Sequence, residues 1–69
     1  MMRLKELRNK HHIPQIRLAM ELDVSQNTIS RYETGEHEAN YKMLIAIADY
    51  FNVSIDYLLG RTDNPNVNR

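Results

Sequence analysis

The chain is divided into short lengths by its own breakers. Pro14, Gly35 and Gly60 interrupt it, and Ser25 and Ser54 stand where helix N-caps are needed. Between these points the apolar residues recur at helical spacing. Leu4 and Leu7 lie three apart, Leu18, Ala19 and Leu22 share one stripe, and Leu44, Ile47, Ala48 and Phe51 follow the i, i+3, i+4, i+7 pattern of a half-buried helix. Val53-Ser54-Ile55 is the only alternating stretch, too short and too closely flanked by helical pattern to make a strand. The expected fold class is therefore all-α.

Five helices are predicted. The first runs from about Met2 to Lys10 and ends near His11-His12, because Pro14 disfavours helical geometry at Ile13. The second begins at Pro14, whose missing N–H costs nothing in a first turn. Asp23 and Val24 form a tight turn, and Ser25 caps a third helix that Gly35 stops as a left-handed residue. A loop from Glu36 to Asn40 leads to a fourth helix from about Tyr41 to Phe51, ended by Asn52. Ser54 caps a short fifth helix, Ile55 to Leu59, closed by Gly60. Residues 61–69 offer only Val67 to bury, with Asn64-Pro65-Asn66 as turn formers, so a domain of residues 1–60 is expected to carry a polar, flexible tail.

At 69 residues there is room for one core. A chain of this size rarely holds more than about 3–5 kcal/mol of net stability. Length excludes large enzyme folds such as the (β/α)₈ barrel, and the absence of cysteine excludes disulfide scaffolds and thiolate zinc sites. The longest apolar run, Met43 to Ala48, is too short to span a membrane. No apolar stretch follows the basic N-terminal residues as in a secretory signal, so a cytoplasmic location is expected. Net charge is zero. The N-terminal half is nevertheless positive, with Arg3, Lys5, Arg8, Lys10, Arg17 and Arg31 outnumbering Glu6, Glu21, Asp23 and Glu33.

The informative stretch is Gln15 to Gly35: two short helices joined by a turn of about three residues, a helix-turn-helix. Ala19 lies where the two helices cross, and a larger side chain there would push them apart. Val24, Ile29 and Tyr32 anchor the later helix, as Leu18 and Leu22 anchor the earlier one. Subtracting these positions leaves Gln26, Asn27, Ser30 and Arg31 on the outer face. Gln, Asn and Arg carry the paired donors and acceptors that match adenine and guanine edges in the major groove. Gln15, Ser25 and Thr28 sit at helix N-termini, where free N–H groups and the helix dipole favour phosphate.

The run Ile13-Pro14-Gln15, Leu18-Ala19, Leu22-Asp23-Val24-Ser25 and Thr28-Ile29-Ser30-Arg31-Tyr32-Glu33-Thr34-Gly35, with the ending Phe51 to Gly60, resembles the Cro/C1-type (XRE) helix-turn-helix family. The resemblance covers roughly Met2 to Gly60. It implies a five-helix, lambda-repressor-like DNA-binding domain, a transcriptional regulator of the repressor kind that occupies double-stranded DNA as a homodimer formed through its C-terminal helix region. It further implies that Gln15 contacts phosphate and braces the recognition helix, and that Ser25 binds phosphate. By the same resemblance Gln26, Asn27 and Arg31 reach bases, with Thr28 and Ser30 at the edge. Arg8 and Glu33 match a pair tying the first helix to the end of the recognition helix.

The sequence departs from that pattern in three places. Asp23 stands where the turn usually has Gly. The loop Glu36-His37-Glu38-Ala39-Asn40 is acidic where a basic loop is usual, leaving Lys42 to take part of the phosphate contact. Ile16 and Met20 fall on a face that is often polar, and so either enlarge the core or form a contact surface. These departures motivate an alternative reading, a protein-interaction module that keeps the fold and has lost groove binding. Other chemistry finds little support. His11, His12 and His37 lack metal-ligand spacing, Asp49 and Asp56 have no nucleophile beside them, and Tyr41, Tyr50, Phe51 and Tyr57 read as core and core edge. Neither an enzyme, a cofactor nor a metal is expected.

Overall fold

A computed structural model describes residues 2–66. Its elements are α1 (Leu4–Lys10), α2 (Gln15–Leu22), α3 (Gln26–Thr34), α4 (Tyr41–Phe51) and α5 (Ile55–Leu58), with no strand among the described residues. Helical periodicity thus gives the right class and number of elements. The boundaries differ at the ends: α1 starts two residues later than predicted, and α5 stops at Leu58. Pro14 is the N-cap of α2 rather than its first residue. Its φ of −63° suits a helix, but its ψ of 152° is extended.

Three of the helices stop by one device. His12, Asp23 and Asn52 adopt left-handed backbone angles, with φ of 56°, 58° and 55°. At each of them the N–H donates three residues back (His12 to Asn9, Asp23 to Met20, Asn52 to Asp49). The following N–H donates five residues back (Ile13 to Arg8, Val24 to Ala19, Val53 to Ala48). This double closure is the Schellman motif, and it satisfies carbonyls that the helix end would leave free. The residue after each left-handed one is apolar, and Ile13, Val24 and Val53 all join or pack on the core. The stop therefore also turns the chain inward. Asp, Asn and His all tolerate this region better than most residues.

Asp23, at φ 58° and ψ 45°, bears the cost of a Cβ in this conformation. Asp23→Gly is expected to raise the unfolding free energy by about 0.5–1 kcal/mol in a denaturant melt, the relief of strain outweighing the added freedom of the unfolded chain. An unchanged or lower midpoint would contradict that geometry.

The core joins all five helices: Leu4, Leu7, Leu18, Ala19, Ile29, Tyr32, Ile47, Ala48, Phe51, Val53 and Leu58. Ala19 is buried in the core, and α2 packs against α3. Ile16 and Met20, on the opposite face of α2, are 57% and 77% exposed and do not enlarge the core. Tyr41 departs from its expected place at the core edge, being 76% exposed at the start of α4, and Tyr50 is exposed as well. Residues 61–66, the part of the expected tail that is described, make hydrogen bonds to the rest of the domain. Ser54 N–H donates to the Pro65 carbonyl at 3.0 Å, and Arg3 donates to the Thr62 carbonyl at 3.2 Å. Val67 lies outside the described residues.

Candidate nucleic-acid interface

The candidate surface is built on α3, whose orientation is set from both ends. At its start Ser25 is the N-cap: its Oγ accepts from the Thr28 N–H at 3.1 Å and lies 2.8 Å from the Thr28 hydroxyl. The two side chains expected near phosphate thus first satisfy the helix end and each other. At the other end Gly35 closes the helix at φ 80°. The His37 N–H donates to the Arg31 carbonyl, and the His37 ring stacks on Tyr32 at 5.7 Å between centroids.

Between these ends, Glu33 points into the protein. Its side chain is 4% exposed and that of Arg8 12%. Arg8 Nε donates to Glu33 Oε2 at 2.6 Å and Nη2 to Oε1 at 3.3 Å, while Nη1 donates to the Ile13 carbonyl at 2.9 Å. Gln15 Nε2 adds a third donor to the carboxylate at 2.9 Å, and the Gln15 Oε1 accepts from Gln26 Nε2 at 3.4 Å. One buried carboxylate therefore holds α1, the start of α2 and the end of α3 in one register. Among the described residues no buried side-chain nitrogen or oxygen lacks a hydrogen-bond partner. Gln15 is the member of this network that the Arg8–Glu33 pairing alone did not reveal. Its place at the first position of α2, eighteen residues before Glu33, is the signal that was available.

Fixing Glu33, Tyr32 and Ile29 inward leaves the opposite side of α3 to solvent. Gln26, Asn27 and Arg31 are exposed, and Thr28 and Ser30 are half-buried beside them. Gln15 is half-buried and Ser25 exposed. Lys42 is exposed in the first turn of α4, next to the exposed Tyr41 ring. Tyr41 is a polar-tipped aromatic exposed on this end of α4 rather than at the core edge. The N-cap of α4 is Asn40, whose side chain accepts from the Met43 N–H at 2.8 Å, so Tyr41 stands in the first turn, at the helix end. Glu36, His37 and Glu38 are all exposed in the loop between α3 and α4. No set of three or more His, Asp or Glu among the described residues is arranged to hold a metal ion, and no helix among them is long and apolar enough to cross a membrane.

Two helices packed on each other, a left-handed turn at Asp23 and a capped second helix with an outward polar edge define a helix-turn-helix domain, here within a five-helix, lambda-repressor-like all-α fold. The sequence matches the helix-turn-helix family over residues 4–58, and the chain belongs to the Cro/C1-type (XRE) helix-turn-helix family. It is 32% identical over 91% of its length to YobD, an uncharacterized HTH-type transcriptional regulator of Bacillus subtilis, of which the match covers 56%. It is 36% identical over 88% of its length to the HTH-type transcriptional regulator ImmR of the same species, covering 48% of that protein. With the HTH-type transcriptional activator BcrR of Enterococcus faecalis it shares 39% identity over 83% of the chain and 28% of the relative. The chain thus spans about half the length of the first two relatives. No solved structure is a significant match.

Proposed function

We propose that this chain is a sequence-specific, double-stranded DNA-binding module of a transcriptional regulator, which reads the major groove with the exposed edge of α3. The observation that carries this reading is the exposure of Gln26, Asn27 and Arg31 on a helix whose other side is locked by a buried carboxylate network. Gln and Asn match adenine and Arg matches guanine by two hydrogen bonds each, the readout that distinguishes base pairs in this groove. Ser25, Thr28, Gln15 and Lys42 flank that edge and take the phosphate positions, fixing register without reading sequence. The simplest mode of action is repression by occupancy of an operator.

The regulator acts as a homodimer on two half-sites roughly 34 Å apart, the separation of successive major-groove faces. Exposed apolar side chains at Ile45 and Tyr50 on α4 and at Leu59 after α5 support an interface in the C-terminal region. With zero net charge and an acidic loop, a single domain neutralises few phosphates. Its affinity is expected to be modest and its dependence on salt shallow, and pairing two domains on one palindrome recovers affinity through effective concentration. Location in the cytoplasm follows from this role.

Selection from random duplexes tests the proposal. The expected result is an enriched palindromic site with one-turn spacing, bound with a log K against log salt slope of only a few units. Failure to retain any duplex at low salt would overturn it. That failure would favour the second reading, a protein-interaction module, which is supported by the exposed Ile16 and Met20 on α2 and the exposed carboxylates Glu36 and Glu38.

A further inference from the structure

Residues 61–66 read Arg-Thr-Asp-Asn-Pro-Asn, a segment with almost nothing to bury. Their order comes from hydrogen bonds instead. Thr62 Oγ1 accepts from the Asn64 N–H at 3.2 Å, and Asn64 Oδ1 accepts from the Asn66 N–H at 3.1 Å. These are two successive side-chain-closed turns of the kind Thr and Asn favour, and Pro65 between them has its own φ preset. The curled segment is then tied to the domain at both its ends. The Arg61 N–H donates to the Asp56 carbonyl at 2.8 Å, and the Pro65 carbonyl accepts from the N–H of Ser54, the N-cap of α5, at 3.0 Å.

Its middle is held by a residue from the other end of the chain. Arg3 Nε donates to the Tyr57 carbonyl at 2.9 Å, and Nη2 donates both to the Thr62 carbonyl at 3.2 Å and to Asp63 Oδ1 at 2.9 Å. The same guanidinium lies 4.5 Å from the centre of the Tyr57 ring, and the Arg3 backbone N–H donates to the Leu58 carbonyl at 2.7 Å. The hydrogen bond to Asp63 is the largest of the influences that hold the Arg3 guanidinium above its ordinary pKa. Asp63 itself is fully solvent-exposed, so its charge alone is a weak tie. The two carbonyls and the aromatic face make the site specific, because one planar guanidinium can serve all three where an ammonium cannot.

We propose that residues 61–66 form a strap, latched by Arg3, that joins the two ends of the domain, so that the folding unit extends to Asn66 rather than ending with α5. The strap lies beyond the family match, which stops at residue 58. It also fixes where the chain leaves the domain: beside the start of α5, where Pro65 bonds Ser54.

Native-state hydrogen exchange on the 69-residue chain tests this, with the Ser54 amide as reporter because its acceptor is Pro65. In the wild type the Ser54 amide is expected to be protected. In Arg3→Ala its protection falls about tenfold or more relative to amides in the middle of α4, and Arg3→Lys falls with it despite keeping the charge. Thr62→Val keeps the shape of Thr62, removes the acceptor for Asn64 and touches no core residue, so it provides a folded variant in which Ser54 protection is again expected to drop severalfold. A Ser54 amide that exchanges like an unstructured peptide in the wild type overturns the strap. Wild-type protection in Arg3→Ala, or in Arg3→Lys, overturns the latch. No DNA enters the experiment, so its outcome is independent of groove binding.

Discussion

Replacing Arg8 with alanine lowers the unfolding free energy by about 3–5 kcal/mol, close to the entire reserve of a chain this short. The cause is what remains behind. Glu33 keeps its charge in a site where its side chain is 4% exposed, with the Gln15 amide as its one remaining side-chain donor. The Ile13 carbonyl, just before Pro14 in the α1–α2 connection, loses its guanidinium donor at the same time. Urea melts at neutral pH measure the loss, and a cost below about 1 kcal/mol would mean that water reaches the carboxylate and the site is not closed. The pair is better understood as a device of register than as a source of stability. Replacing both members with apolar residues of similar volume, Arg8→Met with Glu33→Leu, is accordingly expected to recover most of the loss. That double variant would still lack the fixed orientation that Gln15 and Arg8 impose on α3, so it separates folding from DNA binding in one molecule.

Much of the fold is legible locally because its signals are local. A capping serine at Ser25 or Ser54 binds an N–H three residues away, and a short polar residue such as Asp23 or Asn52 accepts the left-handed angles that end a helix. Such features need no knowledge of the rest of the chain. The outward edge of α3 is legible for a related reason: once the apolar anchors Ile29 and Tyr32 are assigned inward, helical geometry leaves little choice for Gln26, Asn27 and Arg31. What resisted reading depends on partners far away. The order of Thr62 and Asp63 rests on a guanidinium about sixty residues earlier, and composition describes the same segment as a free tail. His12 takes a left-handed angle just before Ile13, which packs on the core, and the extended Pro14; histidine is among the residues enriched in that region, but its presence alone does not mark a helix end. Tyr41 shows the limit of periodicity: it shares the helical stripe of Leu44 and Ala48, yet it stands in the first turn of α4 and is exposed.

On the site that selection enriches, Gln26→Ala and Arg31→Ala are each expected to reduce the preference over random duplex by about 1–3 kcal/mol for every base the side chain reads. Asn27→Ala belongs to the same class. All three side chains are exposed, so their removal leaves the melting transition within about 0.5 kcal/mol of wild type. Arg31 should have the larger effect on a guanine-containing half-site, since it alone of the three presents a charged, two-pronged donor. Gln26 is already tethered to Gln15 at 3.4 Å, so part of its effect comes from losing a side chain that is held in place before DNA arrives. Lys42→Ala provides the contrast. A phosphate contact weakens all duplexes alike and lowers the salt slope by about 1, leaving the ranking of sequences unchanged. If the alanine variants of Gln26 and Arg31 behaved like Lys42→Ala, α3 would be lying along the backbone rather than in the groove. If none of the three changed binding while the fold stayed intact, the surface that meets DNA would have to be sought away from α3.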